Sequence, residues 1–154
     1  MTIPKQAIDL IASFEGFRSK PYNDGVGIAT IGYGTTVYPS GIKVKLTDKP
    51  IAEAIARQYM QGDLLMRWTR LSKTIPYWAE MNANQRSALL SFAYNLGIGF
   101  YGSPGFNSIT QALKVKNWAA IPDVLLKYRN PGSAVEAGLK RRRIAEGDLW
   151  KKKP

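Results

Sequence analysis

The stretch from residue 14 to 35 constrains the fold most, because a helical pattern changes there to a hairpin pattern within a few residues. Just before it, apolar residues recur at helical spacing, namely Ile8, Ile11 and Ala12. Glu15 falls on the same row, and Gly16 then supplies the usual end of a helix. The sequence predicts Glu15 at the exposed rim of an apolar helix face. Partial burial and the negative end of the helix dipole there favour a protonated carboxyl group.

A β-hairpin is predicted immediately after this helix. Arg18 to Tyr22 forms one extended run, Asn23-Asp24-Gly25 is a strong turn signal, and the run from Val26 to Ile31 is rich in β-branched residues. Thr30 shares a strand face with Ile28 and is predicted to point into the cleft that Glu15 borders. The hairpin therefore brings a carboxylate and a hydroxyl group towards Glu15.

Such a set of groups suits the hydrolysis of an acetal. One carboxyl group protonates the bridging oxygen, while the second carboxylate and the hydroxyl group hold and activate a water molecule on the opposite face. Each residue also has a purely structural interpretation: Glu15 as a solvated helix-end acid, Asp24 as a turn former and Thr30 as a strand former. Only their joint spacing favours the catalytic interpretation.

That spacing resembles the phage lysozyme family of endolysins, glycoside hydrolase family 24. The resemblance rests on Glu15-Gly16, on Asp24 nine residues after the Glu, on Thr30 six residues later, and on the Ile-Gly-Tyr-Gly string at 31–34. It implies a catalytic triad of Glu15, Asp24 and Thr30, with Glu15 as general acid. Asp24 and Thr30 would position the water in an inverting reaction, with the two carboxyl groups roughly 6.5–9.5 Å apart. Asp24 as a covalent nucleophile stays open, and Thr35 stands where some members carry a histidine.

The fold implied by the resemblance is α+β and lysozyme-like, in one domain. A small lobe at about 15–50 would hold a three-stranded antiparallel sheet, with Ile42 to Leu46 as its third strand. Gly32 and Gly34 would let a sugar approach the sheet. A long helix at about 51–71 would join it to a helical lobe of residues 73–150 plus 1–14.

Helix boundaries are predicted from capping signals. Thr47 or Asp48 is expected to cap the long helix, whose inward row would be Ile51, Ile55, Tyr59, Leu65, Met66, Trp68 and Leu71. Asn82 to Gln85 resembles a capping box for a central helix that ends at Gly97, and Ser133 to Glu136 resembles a second one. The remaining expected caps are Asn107 or Ser108, for a helix at 109–115, and Asn117, for one at 118–127.

Candidate sugar contacts follow from the resemblance, which extends into residues 92–97, 106–108 and 138–146. They are Thr36 on the sheet side and Tyr94, Asn95, Asn107 and Ser108 on the opposite wall. Tyr94 has an alternative interpretation as a core residue, and Asn107 and Ser108 as helix caps only. Arg142 or Arg143 is expected to pair with a buried acid near the site.

Composition limits the other function classes. The chain has no cysteine and no histidine, which excludes thiol catalysis and imidazole bases, and no metal or cofactor is expected.

A formal charge of +11 favours anionic partners. The expected partners are glycan strands of peptidoglycan and the anionic cell envelope, the latter through seven cations in residues 139–154, with a frayed tail at Lys151 to Lys153. Nucleic acid is not expected, because no binding motif is present. Lytic transglycosylase, catalytically silent wall-binding domain and nucleic-acid module remain alternatives.

The predicted location follows from the ends and hydropathy of the chain. Met1 to Gln6 lacks the apolar core of a signal peptide, and no run approaches the roughly 20 apolar residues of a membrane span. The protein is therefore expected in the host cytoplasm until a separate protein permeabilises the membrane, and then at the cell wall in the periplasm. A monomer is the expected oligomeric state.

Overall fold

The computed structural model describes residues 2–154, so Met1 of the N-terminal segment considered above lies outside them. The described residues form six α-helices and one two-stranded sheet, and the predicted α+β class is confirmed. In chain order these are α1 Lys5–Glu15, β1 Arg18–Asn23, β2 Ala29–Gly32, α2 Glu53–Thr74, α3 Ala83–Leu96, α4 Asn107–Lys114, α5 Ile121–Leu125 and α6 Glu136–Lys151. Short 3-10 turns lie at Trp78–Glu80 and Trp118–Ala120.

The sheet has two antiparallel strands in the described residues, so the prediction of three is wrong. The segment expected as the third strand makes a single bridge, between Lys43 and Val37. Its apolar residues do not share a buried face, because Val44 is buried while Ile42 and Leu46 are 60% and 56% exposed. Without an apolar face to cover, the segment has little reason to pair as a full strand.

Helix α2 runs without interruption through Gly62, and its buried row differs from the predicted one. The residues that face the core are Ala56, Met60, Leu64, Trp68 and Leu71. Ile55, Leu65 and Met66 are exposed instead. Two apolar rows overlap in this helix, and the one containing the small Ala56 allows closer packing. The predicted cap is also wrong: Asp48 accepts hydrogen bonds from Lys45 N and the Tyr38 hydroxyl group, and Ala52 precedes the helix.

Helix α3 lies at the centre of the core and packs against α1, α2 and α6. Its predicted capping box is confirmed, since Gln85 N donates to Asn82 Oδ1 and Asn82 N donates to Gln85 Oε1, both at 2.9 Å. Gly97 ends the helix, as predicted. The central position of α3 matters for function, because its buried polar side chains lie between α1 and α6.

The other predicted caps are wrong. Helix α4 begins at Asn107 itself, and the Tyr128 hydroxyl group accepts the Ile109 N–H, a role expected of Asn107 or Ser108. Asn117 precedes the 3-10 turn without a side-chain cap. Helix α6 starts after Val135, and no side chain caps it. Glu136 turns back to Gly132 N and Arg129 instead of completing a box with Ser133.

The last helix and the tail are tied to the start of the chain. Asn84 donates to the backbone oxygens of Lys152 and Lys153, and Gln6 donates to Asn84. The tail is therefore docked, and the expectation of a frayed tail is wrong. Among residues 2–154, no helix combines the length and the apolar character that crossing a membrane requires.

Candidate active site

Glu15 is the last residue of α1, at the position that the sequence predicted. Gly16 adopts φ 69°, and its N–H donates to Ala12 O at 3.0 Å, which closes the helix directly after the acid. The Glu15 side chain is 23% exposed. The carboxyl group therefore reaches solvent from an otherwise buried helix face.

Arg142 of α6 pairs with this carboxyl group. Its Nη1 atom lies 2.7 Å from Glu15 Oε1, and its side chain is only 5% exposed. The sequence predicted that Arg142 or Arg143 would pair with a buried acid near the site. Both pair with the buried Glu146, and Arg142 also contacts the partly exposed Glu15. A guanidinium group at this distance stabilises the carboxylate that remains after Glu15 has donated a proton.

A buried polar cluster supports Arg142 from below. Arg142 Nε lies 3.3 Å from Ser91 Oγ and 3.4 Å from Glu146 Oε2, and Nη2 donates to Ser91 O at 3.1 Å. Glu146 accepts from Ser91 Oγ at 2.6 Å and from Arg143 Nη2 at 3.1 Å. Burial raises the pKa of Glu146, while Arg143, Ser91 and Arg142 act against that shift. Burial lowers the pKa of Arg143.

Arg143 and Glu146 form a buried ion pair with two close contacts. Arg143 Nε and Glu146 Oε1 are 2.7 Å apart, and both side chains are fully buried. Within the described residues these two atoms have no other hydrogen-bond partner, while Arg143 Nη2 donates to Glu146 Oε2 at 3.1 Å. The attraction between the two side chains is therefore electrostatic and is supplemented by one hydrogen bond.

The hairpin carries the second carboxylate and the hydroxyl group. Asp24 lies at its tip, where Oδ1 accepts hydrogen bonds from Val26 N and Ile28 N at 3.0 and 3.1 Å. The turn is longer than predicted, because Val26 to Ile28 belong to it and β2 begins only at Ala29. Thr30 is 3% exposed and donates to Ile28 O at 3.1 Å. The Asp24 side chain thus shapes the turn that precedes Thr30.

Tyr22 lies near both carboxylates and was missed by the sequence analysis. Tyr22 and Thr30 are direct partners in the antiparallel register, so their side chains share a face. Burial raises the pKa of Tyr22, Arg18 opposes this, and both Glu15 and Asp24 raise it further. The Tyr22 hydroxyl group is therefore within electrostatic range of both Glu15 and Asp24. The sequence feature that could have identified Tyr22 is its position opposite Thr30 in the predicted hairpin.

The backbone after β2 passes beside Glu15. A Cβ atom built on Gly34 would lie 3.6 Å from Glu15 Oε2 and 3.3 Å from the Tyr94 hydroxyl group, which donates to Tyr33 O at 2.8 Å. Burial raises the pKa of Tyr94, as does the nearby Glu15. Gly32 differs from the expectation that it admits a sugar, because its Cβ would lie 2.9 Å from Ala56 Cβ. It allows α2 to approach instead.

Two depressions lie near Glu15, one lined by Glu15 and one that begins at the neighbouring Gly34. One, of about 510 Å³, is lined by Glu15 itself together with Asn95, Arg141 and Arg142. The other, of about 540 Å³, begins at Gly34 and includes Thr36 and Arg67. The Arg67 guanidinium group lies 4.9 Å from the centre of the Tyr94 ring, so Tyr94 has charged neighbours in both Arg67 and Glu15.

Two of the sequence candidates, Asn107 and Ser108, lie away from Glu15. Asn107 and Ser108 line a third depression, of about 410 Å³, whose lining does not include Glu15. Asn95 accepts a hydrogen bond from Arg143 Nη2 at 2.8 Å, so part of its amide is already engaged. Over residues 2–154 there is no group of three or more histidine, cysteine or acidic side chains that could hold a metal ion.

The comparisons with known proteins first define a class. The solved structure of a variant of P22 lysozyme is 28% identical, superposes with a TM-score of 0.80, and covers 99% of both chains. The fold is therefore lysozyme-like. The family model described as phage lysozyme matches residues 12–146. The chain belongs to the phage lysozyme family.

Relatives in that family differ in length. The endolysin of Salmonella phage P22 is 31% identical over 144 residues, which cover 93% of this chain and 94% of the relative. The endolysin of Bacillus phage B103 is 31% identical over 155 residues, which cover 97% of this chain and 54% of the relative. The chain therefore spans about half the length of the B103 protein.

Proposed function

We propose that this protein is a phage-type endolysin. It hydrolyses the β-1,4 bond between N-acetylmuramic acid and N-acetylglucosamine in bacterial peptidoglycan, and so lyses the host cell. The observation that carries the proposal is Glu15 at the rim of a depression, with Arg142 Nη1 at 2.7 Å. Membership of the phage lysozyme family supports the same activity.

In the proposed reaction, Glu15 donates its proton to the glycosidic oxygen, and Arg142 stabilises the carboxylate that results. Asp24 and Thr30 position a water molecule that attacks the sugar from the opposite face. Tyr22 lies on the same face as Thr30 and within the electrostatic reach of both acids, which fits a role in the site. The product then has inverted configuration, and the two carboxyl groups are expected to lie roughly 6.5–9.5 Å apart.

The glycan strand is proposed to cross both depressions beside Glu15. Thr36 lines one of them, Asn95 lines the other, and Tyr94 lies against Gly34 between them. These three residues are proposed to contact sugars next to the cleaved bond. Asn107 and Ser108 line a separate depression and are proposed to contact the strand farther from Glu15.

The setting of the reaction is proposed from charge and family. The protein is proposed to stay in the host cytoplasm as a monomer until the membrane is permeabilised, and then to act on the wall in the periplasm. Two of the seven C-terminal cations, Arg142 and Arg143, are buried, so the remaining five provide the surface for the anionic envelope. Nucleic acid is not a proposed partner, and the reaction needs no cofactor.

The test compares wild type with Glu15→Gln in turbidity assays on outer-membrane-permeabilised bacteria. We expect the variant to lose activity by about 100-fold or more, as for the loss of a general acid. Glu80→Gln is the matched control, because Glu80 is an exposed acid paired with Lys116. Equal lysis by wild type and Glu15→Gln would contradict the proposal.

Product analysis tests the chemistry. Mass spectrometry should find muropeptides with one added water per cleavage, and NMR of the first products should show the α-anomer expected from inversion. Anhydro products would indicate a lytic transglycosylase instead. The β-anomer as first product would assign Asp24 as a nucleophile in a retaining reaction.

A further inference from the structure

The cluster beneath Glu15 contains two buried arginines and only one buried carboxylate. Arg142 is 4% exposed, and Arg143 and Glu146 have no exposed surface. Buried arginines need a compensating charge, because desolvation of an unpaired guanidinium group is costly. Glu146 compensates one of them, and the partly exposed Glu15 is the second acid in contact with the cluster.

Glu146 and Ser91 together fix the orientation of Arg142. Ser91 Oγ donates to Glu146 Oε2 at 2.6 Å, and both oxygens lie within 3.4 Å of Arg142 Nε. The Ser91 backbone oxygen accepts from Arg142 Nη2 at 3.1 Å. These contacts occupy the Nε edge of the guanidinium group and leave Nη1 directed at Glu15. Three groups, the Ser91 hydroxyl group, the Ser91 backbone oxygen and the Glu146 carboxylate, therefore hold Arg142 in place.

The charge of this cluster acts on Glu15 through Arg142. With Glu146 ionised, Arg142, Arg143 and Glu146 carry a combined charge of about +1, which Glu15 balances only when it is ionised. With Glu146 neutral, the same cluster would carry about +2 and would hold Glu15 much more strongly as a carboxylate. A general acid must be protonated when substrate binds, so the second arrangement would oppose catalysis.

We propose that Glu146 is a positioning residue for catalysis: with Ser91 it holds Arg142 on Glu15, and its negative charge cancels one buried arginine so that Glu15 can carry its proton. The inference rests on the proposed function of Glu15 as general acid. Two guanidinium groups at Glu146 favour its ionised form against the effect of burial. In this proposal Glu15 contacts the substrate, and Glu146 acts on the reaction only through Arg142.

The other charged and titratable groups around these acids come from three elements. Arg141 of α6 lines the depression at Glu15. The charge of Glu15 raises the pKa of Tyr94 in α3 and of Tyr22 in β1, and Asp24 also raises the pKa of Tyr22. Around the buried cluster, Asn95 Oδ1 and Tyr128 O accept from Arg143. Among these neighbours, only Arg142 and Arg143 are in ion-pair contact with Glu146.

The test is the pH dependence of cell-wall hydrolysis by Glu146→Gln. Because the substitution leaves two arginine charges against Glu15, we expect the alkaline limb of the activity profile to move to lower pH by about one unit. The double variant Glu146→Gln/Arg143→Met restores a cluster charge of about +1, and its alkaline limb should return to the wild-type position. Arg143→Met alone should move the limb to higher pH.

The double variant and the single Arg143→Met variant keep the test decisive if Glu146→Gln does not fold. A role for Glu146 in packing alone would lower the melting temperature and the maximal rate without moving the limb. Folded variants that all share the wild-type alkaline limb would overturn the inference. Glu15→Gln is assayed in parallel: if it remains active, the proposed function itself has failed, whereas an inactive Glu15→Gln with unmoved limbs rejects only the role of Glu146.

Discussion

At the scale of single residues, two glycines of the same turn have different physical roles. Gly32 and Gly34 both have positive φ, 68° and 89°, which disfavours any residue with a Cβ atom. The space around them differs: Gly32 faces Ala56 of α2, whereas Gly34 faces Glu15 and Tyr94. The first is therefore a packing position and the second belongs to the site.

Gly34→Ala should reduce activity far more than stability. The new methyl group would crowd the Tyr94 hydroxyl group at 3.3 Å and would lie in van der Waals contact with Glu15 Oε2 at 3.6 Å, so it would fill space beside the acid. Gly41→Ala is the matched control, since Gly41 has the same φ of 89° with open space around it. Both variants should lose about 1–2 kcal/mol of unfolding free energy, but only Gly34→Ala should lose hydrolysis. Equal activities would refute the contact with Glu15.

Gly32→Ala should instead be strongly destabilising, by roughly 2–4 kcal/mol, because strain at positive φ adds to a Cβ contact of 2.9 Å with Ala56. Denaturant unfolding measures this directly. The double variant Gly32→Ala/Ala56→Gly removes the clashing methyl group and should recover the part of the loss that comes from crowding. Ala56→Gly alone is measured as well, because glycine inside a helix has its own cost. No recovery after this cost is subtracted would mean that backbone strain accounts for the whole effect.

At the scale of elements, capping separates two sequence motifs that look alike. Asn82→Ala should cost about 1 kcal/mol, because Asn82 and Gln85 satisfy each other's backbone N–H groups at the start of α3. Ser133→Ala should cost only a few tenths of a kcal/mol, because Ser133 bonds to Asn130 O and caps no helix. Urea denaturation of both variants tests the difference, and similar losses would contradict the assignment of the caps.

Tyr38 and Asp48 give the segment after the sheet a pH dependence. Burial and the hydrogen bond to Asp48 raise the pKa of Tyr38 to about 12 from 10.0. A raised pKa in the folded state means that this stabilisation is complete below pH 10 and is lost as the pH rises towards 12. Tyr38→Phe should remove this part of the alkaline loss of stability. Melting temperatures measured from pH 9 to 12 should therefore converge, and parallel curves for the two proteins would be the contrary result.

The elements show where sequence patterns suffice and where they fail. Helix ends marked by one glycine, at Gly16 and Gly97, were predicted because the signal is local. The third strand failed because β-propensity in Ile42 to Leu46 does not reveal whether a neighbour covers one face. The second capping box failed for a similar reason: Glu136 prefers Arg129, a contact set by tertiary structure.

At the scale of the whole molecule, the positive charge of the C-terminal tail can be removed without removing the backbone hydrogen bonds that dock the tail on Asn84. Replacing Lys151, Lys152 and Lys153 with glutamine keeps the backbone oxygens that Asn84 binds. We expect weaker binding to cell walls at low salt and a flatter salt dependence, with little change in stability. Deleting residues 152–154 removes the Asn84 contacts as well and should also lower the melting temperature. Unchanged wall binding in both variants would reject a role for the tail.

Part of the candidate site could be predicted from local sequence patterns, and part depends on contacts between residues far apart in the chain. Glu15, Asp24 and Thr30 lie within sixteen residues, so their spacing could be read directly. Arg142 was expected only as one of two candidates, and Ser91 and Glu146 were not expected at all. The packing of α3 against α1 and α6 brings Arg142 to Glu15, and Ser91 and Glu146 to Arg142, which no spacing in the sequence reveals.

The pairing of the first helix with the last has a consequence for the timing of synthesis. Glu15 and Arg142 are separated by 127 positions in the chain, so the acid leaves the ribosome long before its partner. A nascent or truncated chain that ends before α6 holds Glu15 without the guanidinium group that positions it. The ion pair at Glu15 therefore forms only after α6 has been synthesised, so the geometry around the acid depends on the last helix of the fold.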